Sequence, residues 1–164
     1  MSDSWTALAR ELSEASPFCR AFGHELVVAE PDRVVIRTSG QTEMCRQTTG
    51  QWIGEALEVL ASVTAGFVLT TPGDEPGTFS APYGATVRTL YHLRPSSSAW
   101  VEGEARWVRR GKSQAVIETV VRDAEGRELL RVLSQHAAIP DPLLFSVKES
   151  RLQARSANRR DPSP

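Results

Sequence analysis

SAPYGATVRTLYHLRPSSSAWVEGEARWVRRGKSQAVIETVVRDAEGRELLRVLSQHAAI, residues 80–139, is the stretch on which the architecture turns. Four strand-like segments follow one another in it: Thr86–Leu93, Trp100–Arg109, Gln114–Asp123 and Glu128–Ala138. Alternation is clearest in the middle pair. Val101, Gly103, Ala105 and Trp107 share one face against Glu102, Glu104 and Arg106, and Ala115, Ile117, Thr119 and Val121 share another. Side chains point to opposite faces every second residue, so each strand has one dry and one mixed face. Arg94-Pro-Ser-Ser-Ser98, Arg110-Gly-Lys112 and Ala124-Glu-Gly126 separate the segments with Gly, Pro and Ser, the residues of turns. The expectation is an antiparallel meander.

Immediately upstream, Thr70–Thr78 is a Pro/Gly/acid loop, and before it Gly50–Leu69 reads as a helix. Ile53, Ala56, Leu57, Leu60, Ala61, Val63 and Phe67 cover most of its circumference, which is the pattern of a helix enclosed by other elements. Thr48 and Thr49 are placed as N-cap residues. Glu55 and Glu58 fall three apart on neighbouring parts of one face. A carboxylate in such a helix is costly unless it is hydrogen-bonded or faces a wet cleft, so Glu58 is the leading candidate for chemistry. Further upstream, His24–Glu30 and Arg33–Thr38 read as two strands around a Pro31 turn. Trp5, Leu8 and Leu12 mark one face of a leading helix capped by Ser4 or Asp3. Pro17 ends or kinks that helix and Gly23 makes a turn. Residues 1–140 are expected as a single domain and 141–164, polar and basic, as a flexible tail.

Composition narrows the classes of function. The 164 residues carry 40% hydrophobic and 24% charged side chains with a formal net charge of −1. That balance gives no electrostatic reason to expect nucleic acid or an anionic membrane as partner. No apolar run reaches the roughly 20 residues that span a bilayer, since Glu58, Ser62 and Thr64 interrupt the best candidate. The opening residues lack the basic start and apolar core of a secretion signal, so a cytoplasmic location is expected. Cys19 and Cys45 are too few for a disulfide scaffold, and their spacing matches no metal motif. No metal and no cofactor is expected.

The order helix, strand, strand, long buried helix, four strands resembles the hotdog fold, an α+β architecture with an antiparallel sheet wrapped around one central helix. It is most similar to acyl-CoA thioesterases of the phenylacetate-pathway type. Ala21-Phe-Gly-His-Glu-Leu26, Tyr91-His-Leu-Arg-Pro95, Trp107-Val-Arg-Arg-Gly-Lys112 and Asp123-Ala-Glu-Gly-Arg-Glu-Leu-Leu-Arg-Val132 carry the resemblance, which runs from about Phe18 to Ile139. In that family a His-Gly-Gly stretch opens the central helix and presents a backbone N–H to the thioester carbonyl. A carboxylate one or two turns along attacks or activates water. N–H groups at a helix start stabilise the developing oxyanion, and the carboxylate serves as base or nucleophile.

This chain departs from the motif: Thr48-Thr49-Gly50-Gln51 stands where His-Gly-Gly is expected. Counting the family spacing from Thr48 reaches Leu57; counting from Thr49 reaches Glu58. The resemblance therefore implies Glu58 as the activating carboxylate, with Glu55 as its rival, and the N–H groups of Gly50 and Gln51 as the oxyanion site. Thr48, Thr49, Trp52 and His92 are candidates for contact with substrate. Arg109, Arg110 and Lys112 correspond to a region that lies near the CoA phosphates in related proteins. The implied activity is hydrolysis of an acyl-CoA or acyl-carrier thioester by a homodimer or homotetramer with the acyl cleft between subunits. Two rivals accompany it. One is a hotdog protein that binds an acyl or polyketide-like ligand without hydrolysing it. The other is a dehydratase of 3-hydroxyacyl thioesters, which needs His92 or His24 beside Glu58.

Overall fold

The computed structural model describes residues 2–39, 45–70, 83–111 and 113–138. Along the chain these form α1 (Ser2–Ala15), α2 (Pro17–Phe22), β1 (His24–Glu30), β2 (Arg33–Thr38) and α3 (Gly54–Leu69). The remaining elements are β3 (Tyr83–His92), β4 (Val101–Arg110), β5 (Gln114–Asp123) and β6 (Glu128–Ala138). The six strands make one antiparallel sheet in the order β1-β2-β4-β5-β6-β3.

α3 lies on the inner face of that sheet. Leu60, Thr64 and Val68 are completely buried, and Ala61 and Ala65 nearly so, against Val34, Ile36, Val101, Ala105, Ile117 and Val121. Each large side chain so buried contributes roughly 2 kcal/mol of transfer free energy. Closest approach falls at Gly103, where an added Cβ would stand 2.8 Å from Thr64 Oγ1 and 3.2 Å from Leu60 Cγ. Only glycine admits the helix there. The outer face is closed by ion pairs instead of apolar cover: Arg33 with Glu104, Arg37 with Glu102, and Arg131 with Glu118 and Glu128.

The fold class and the strands β1, β2, β5 and β6 agree with the sequence reading residue for residue. Three expectations are corrected. First, the last four strands are not a simple meander: β3 pairs with β6 at the edge, while β4 pairs with β2 and β5. The Leu93–Trp100 connection has no glycine to close a hairpin, and it crosses the end of the sheet to carry the chain past two strands. Its anchor is Asp123, whose fully buried side chain accepts from Ser96 Oγ (3.0 Å) and Arg127 Nε (2.9 Å). Burial alone pushes that carboxyl up, but the hydrogen bonds from Arg127 and Ser96 win and hold it below its ordinary value.

Second, α3 starts at Gly54, not Gly50. Gly50 takes φ +80° and its N–H donates to Gln47 O at 2.8 Å, so the glycine closes a tight turn before the helix. Thr48 and Thr49 are exposed in that turn and cap nothing; the N-cap is Ile53, which makes no side-chain capping bond. Third, Ser4 and Asp3 lie inside α1 and do not precede it. The loop Thr70–Thr78 beyond its first residue, the side chains of Trp5 and Leu8, Lys112 and the 141–164 tail lie outside the described residues.

Candidate active site

His92 ends β3, and its Nε2 stands 2.9 Å from Glu58 Oε1 on the second turn of α3. The two side chains are 48% and 39% exposed, so the pair faces an open cleft. Edge strand β3 delivers the histidine: His92 pairs with Leu130 on β6, which points it to the same inner face as α3. Gly54 makes room for it. A Cβ on Gly54 would meet the imidazole at Cε1 (3.2 Å) and Nδ1 (3.5 Å), so the ring lies directly over the first residue of the helix.

The helix start supplies the second half of the site. The amides of Gly54 and Glu55 have no acceptor within the helix, and among the described residues no side chain caps them. They point out of the positive end of the helix dipole, where negative charge is favoured. With Nε2 occupied by Glu58, Nδ1 is the imidazole nitrogen left facing this end. A groove of about 360 Å³ opens here, lined by Trp52, Gly54, Leu57, His92, Leu93 and Arg94. A smaller concavity of about 160 Å³ on the outer face is lined by Arg33, Glu102, Glu104 and Arg122. Arg33 is paired with Glu104 and Arg122 with Glu128, so charges there are already answered.

Of the residues singled out in the sequence, the structure brings together Glu58, His92 and Trp52. Trp52 is 4% exposed and is held from several sides: its N–H donates to Ser96 O (2.9 Å), its Nε1 to Ser98 O (2.9 Å), and Arg46 covers its ring at 4.2 Å. It is the wall that ties the groove to the 93–100 crossover. Glu55 is exposed on the first turn. Gly50 and Gln51 do not offer the amides at the helix start, because the turn precedes it; Gly54 and Glu55 do. Thr48 and Thr49 stand apart in the exposed turn. Arg109 and Arg110 pair with Val116 and Ala115 at the end of the sheet opposite His92, roughly 20 Å away along the strand direction. In this protomer they take no part in the groove. Lys112 lies outside the described residues.

Sequence reasoning missed Gly54 and Arg94. Arg94 stood in the Leu93-Arg-Pro95 segment, which served only as a fold marker. Gly54 was hidden because the helix was started too early. Glu58 sits on the second turn of α3 with a histidine as partner.

No protein-family model and no curated protein sequence matches the chain. Solved structures do. PaaI of Escherichia coli, from the phenylacetic acid degradation operon, superposes with a TM-score of 0.72 at 16% identity over 84% of this chain and 95% of its own. A thioesterase of Haemophilus influenzae gives 0.68 at 18% identity, over 79% and 87%. A hypothetical thioesterase of Streptococcus pneumoniae, crystallised with coenzyme A, gives 0.63 at 16% identity, over 73% and 89%. At these identities the likeness establishes architecture. The chain has the hotdog fold of the PaaI-type and related thioesterase structures.

Proposed function

We propose that this chain binds an acyl thioester across the start of α3 and hydrolyses it, with His92 as general base and Glu58 as its orienting partner. The observation that carries this reading is the 2.9 Å His92–Glu58 contact over Gly54. Glu58 accepts the Nε2–H, which leaves the Nδ1 lone pair toward the groove. Nδ1 takes a proton from a water molecule, whose oxygen attacks the thioester carbonyl. The oxyanion lies against the N–H groups of Gly54 and Glu55. When the tetrahedral intermediate collapses, the C–S bond breaks, the thiolate leaves, and the imidazolium returns the proton to sulfur. A fold shared with thioesterases, one of them crystallised with coenzyme A, supports thioesters as the substrate class. Exposed Arg94 at the groove is the cation available to an anionic carrier, a role that sequence similarity assigned to Arg109, Arg110 and Lys112.

The same pair supports a second reading. A histidine with a carboxylate is what removal of a C2 proton from a 3-hydroxyacyl thioester requires, and His92 stands beside Glu58 as that chemistry demands. Incubation with a panel of acyl-CoAs in the presence of a thiol reagent, and with 3-hydroxyacyl-CoA followed for enoyl absorbance, separates the two. Thiol release that depends on the protein is the expected result. Enoyl formation without thiol release would replace hydrolysis by dehydration. Saturable binding with neither product would leave the non-hydrolytic ligand binder.

A homodimer belongs to the same proposal. Among the described residues β3 pairs with β6 alone, which leaves one of its edges open to them, and Val87, Tyr91 and Leu93 on or beside it are about half exposed. An open strand edge flanked by apolar side chains is a template for pairing with a second copy. Such pairing extends the sheet and places the groove beside the partner. Sedimentation equilibrium is expected to give twice the chain mass or an even multiple; a monomer at micromolar concentration would contradict it.

A further inference from the structure

The inner face of β3 continues past His92. Leu90 and Arg88 follow on the same side, opposite Val132 and Ser134 of β6, four residues or roughly 13 Å further along the strand. Arg88 Nη1 donates to Ser62 Oγ, one helical turn beyond Glu58. Two contacts thus run in parallel down the seam between strand and helix: His92 with Glu58, then Arg88 with Ser62.

Arg88 differs from most of the other arginines of the sheet. Arg33, Arg37, Arg106, Arg122 and Arg131 each pair with a carboxylate, as does Arg127 in the β5–β6 turn. Arg88 has a neutral hydroxyl as its hydrogen-bond partner, and among the described residues it forms no ion pair with a carboxylate. The wall beside it is also polar. Ser134 and His136 are 2% and 5% exposed; His136 Nε2 meets Ser134 Oγ at 2.9 Å, and its Nδ1 has no partner. An alkyl chain laid along this seam would strip water from Arg88 and return nothing. An anion at the same point would gain a charge-assisted hydrogen bond.

We propose that the seam between α3 and β3 receives an acyl group whose far end carries a carboxylate, bound by Arg88 with Ser62. This rests on the reading of His92 and Glu58 as the thioester end of that seam. It specifies a half-thioester of a dicarboxylic acid and disfavours a fatty acyl chain.

The test compares length-matched pairs of acyl-CoAs, ω-carboxyacyl against alkyl, from four to ten carbons, for kcat/KM and for binding by calorimetry. Wild type is expected to favour the carboxylate at its best length by about ten- to hundredfold. Arg88→Gln is expected to lower that ratio by a similar factor, and Arg88→Lys, which keeps the charge but not the fork, to retain part of it. Preference for alkyl chains, or an Arg88→Gln effect equal on both members of each pair, would overturn the proposal. So would a change of oligomeric state in Arg88→Gln with the ratio untouched, which would mark Arg88 as an interface residue. Should no thioester be hydrolysed, an Arg88-dependent preference in calorimetry would uphold this inference while the hydrolase reading fell.

Discussion

His92→Gln is expected to lower protein-dependent thiol release from the best acyl-CoA by about 10²- to 10³-fold, with KM changed by less than a few fold. Loss of a positioned general base costs factors of that size, because proton removal from water then falls to solvent. The amide side chain still fills the space over Gly54, so the helix start and groove persist. Glu58→Gln is expected to cost less, about tenfold or more, since it leaves the imidazole in place but weakens the 2.9 Å contact that orients it. The two residues act as a unit, so the double variant is expected to be no slower than His92→Gln alone. Gly54→Val gives an independent check: its side chain enters the space of the imidazole, which would lie 3.2 Å from even a Cβ. Steady-state kinetics with a thiol reagent reads all four. Strictly additive losses, or a wild-type rate in His92→Gln, would remove the pair from the mechanism.

The second large effect is on stability and comes from His24, far from the site in role. His24 begins β1, is 7% exposed, and packs on the Phe22 ring at 5.6 Å, with neither ring nitrogen hydrogen-bonded. Burial pushes its pKa down from 6.5 to about 4. The unfolded chain therefore binds the proton more readily than the folded one between those values. The neutral-histidine contribution is fully present above pH 6.5, declines as pH falls, and is exhausted near pH 4, at a cost of the order of 3 kcal/mol. Burial lowers His136 too, with Arg88 adding in the same direction, so it contributes with the same sign. Asp123, Glu104 and Glu128 are held below their ordinary values, and their losses fall at lower pH, below about 4. Urea unfolding from pH 7 to pH 4 is expected to show this slope in wild type and a markedly flatter one in His24→Phe. Equal slopes in both would show that His24 protonates freely in the folded protein.

How much of this was legible in the sequence follows from the range of each interaction. β5 and β6 were readable because alternation and the Asp123–Gly126 turn are local. The same Asp123 also holds Ser96, a contact across 27 positions that makes Leu93–Trp100 a crossover. Local turn composition read that segment as a hairpin and so mistook the position of β3. The helix start was misplaced because Gly50 looks like a helix opening. What uses it is the pairing of Arg46 with Trp52, which makes a small hairpin whose turn needs a positive φ. Glu58 was legible as a carboxylate in an apolar helix. His92 was named as a candidate, but the choice between it and His24 as the partner of Glu58 was not readable, since His92 lies 34 residues away and reaches Glu58 only through the edge position of β3. Arg88 carried no signal at all until β3 was placed.

The most direct test is a crystal structure with a coenzyme A analogue in which the thioester sulfur is replaced by methylene, leaving a ketone that cannot be cleaved. The ketone oxygen is expected about 3 Å from the N–H of Gly54 or Glu55, with the carbonyl carbon facing His92 Nδ1. An analogue bound with its carbonyl elsewhere, against the Arg109–Arg110 end of the sheet for instance, or not bound at saturating concentration, would contradict it.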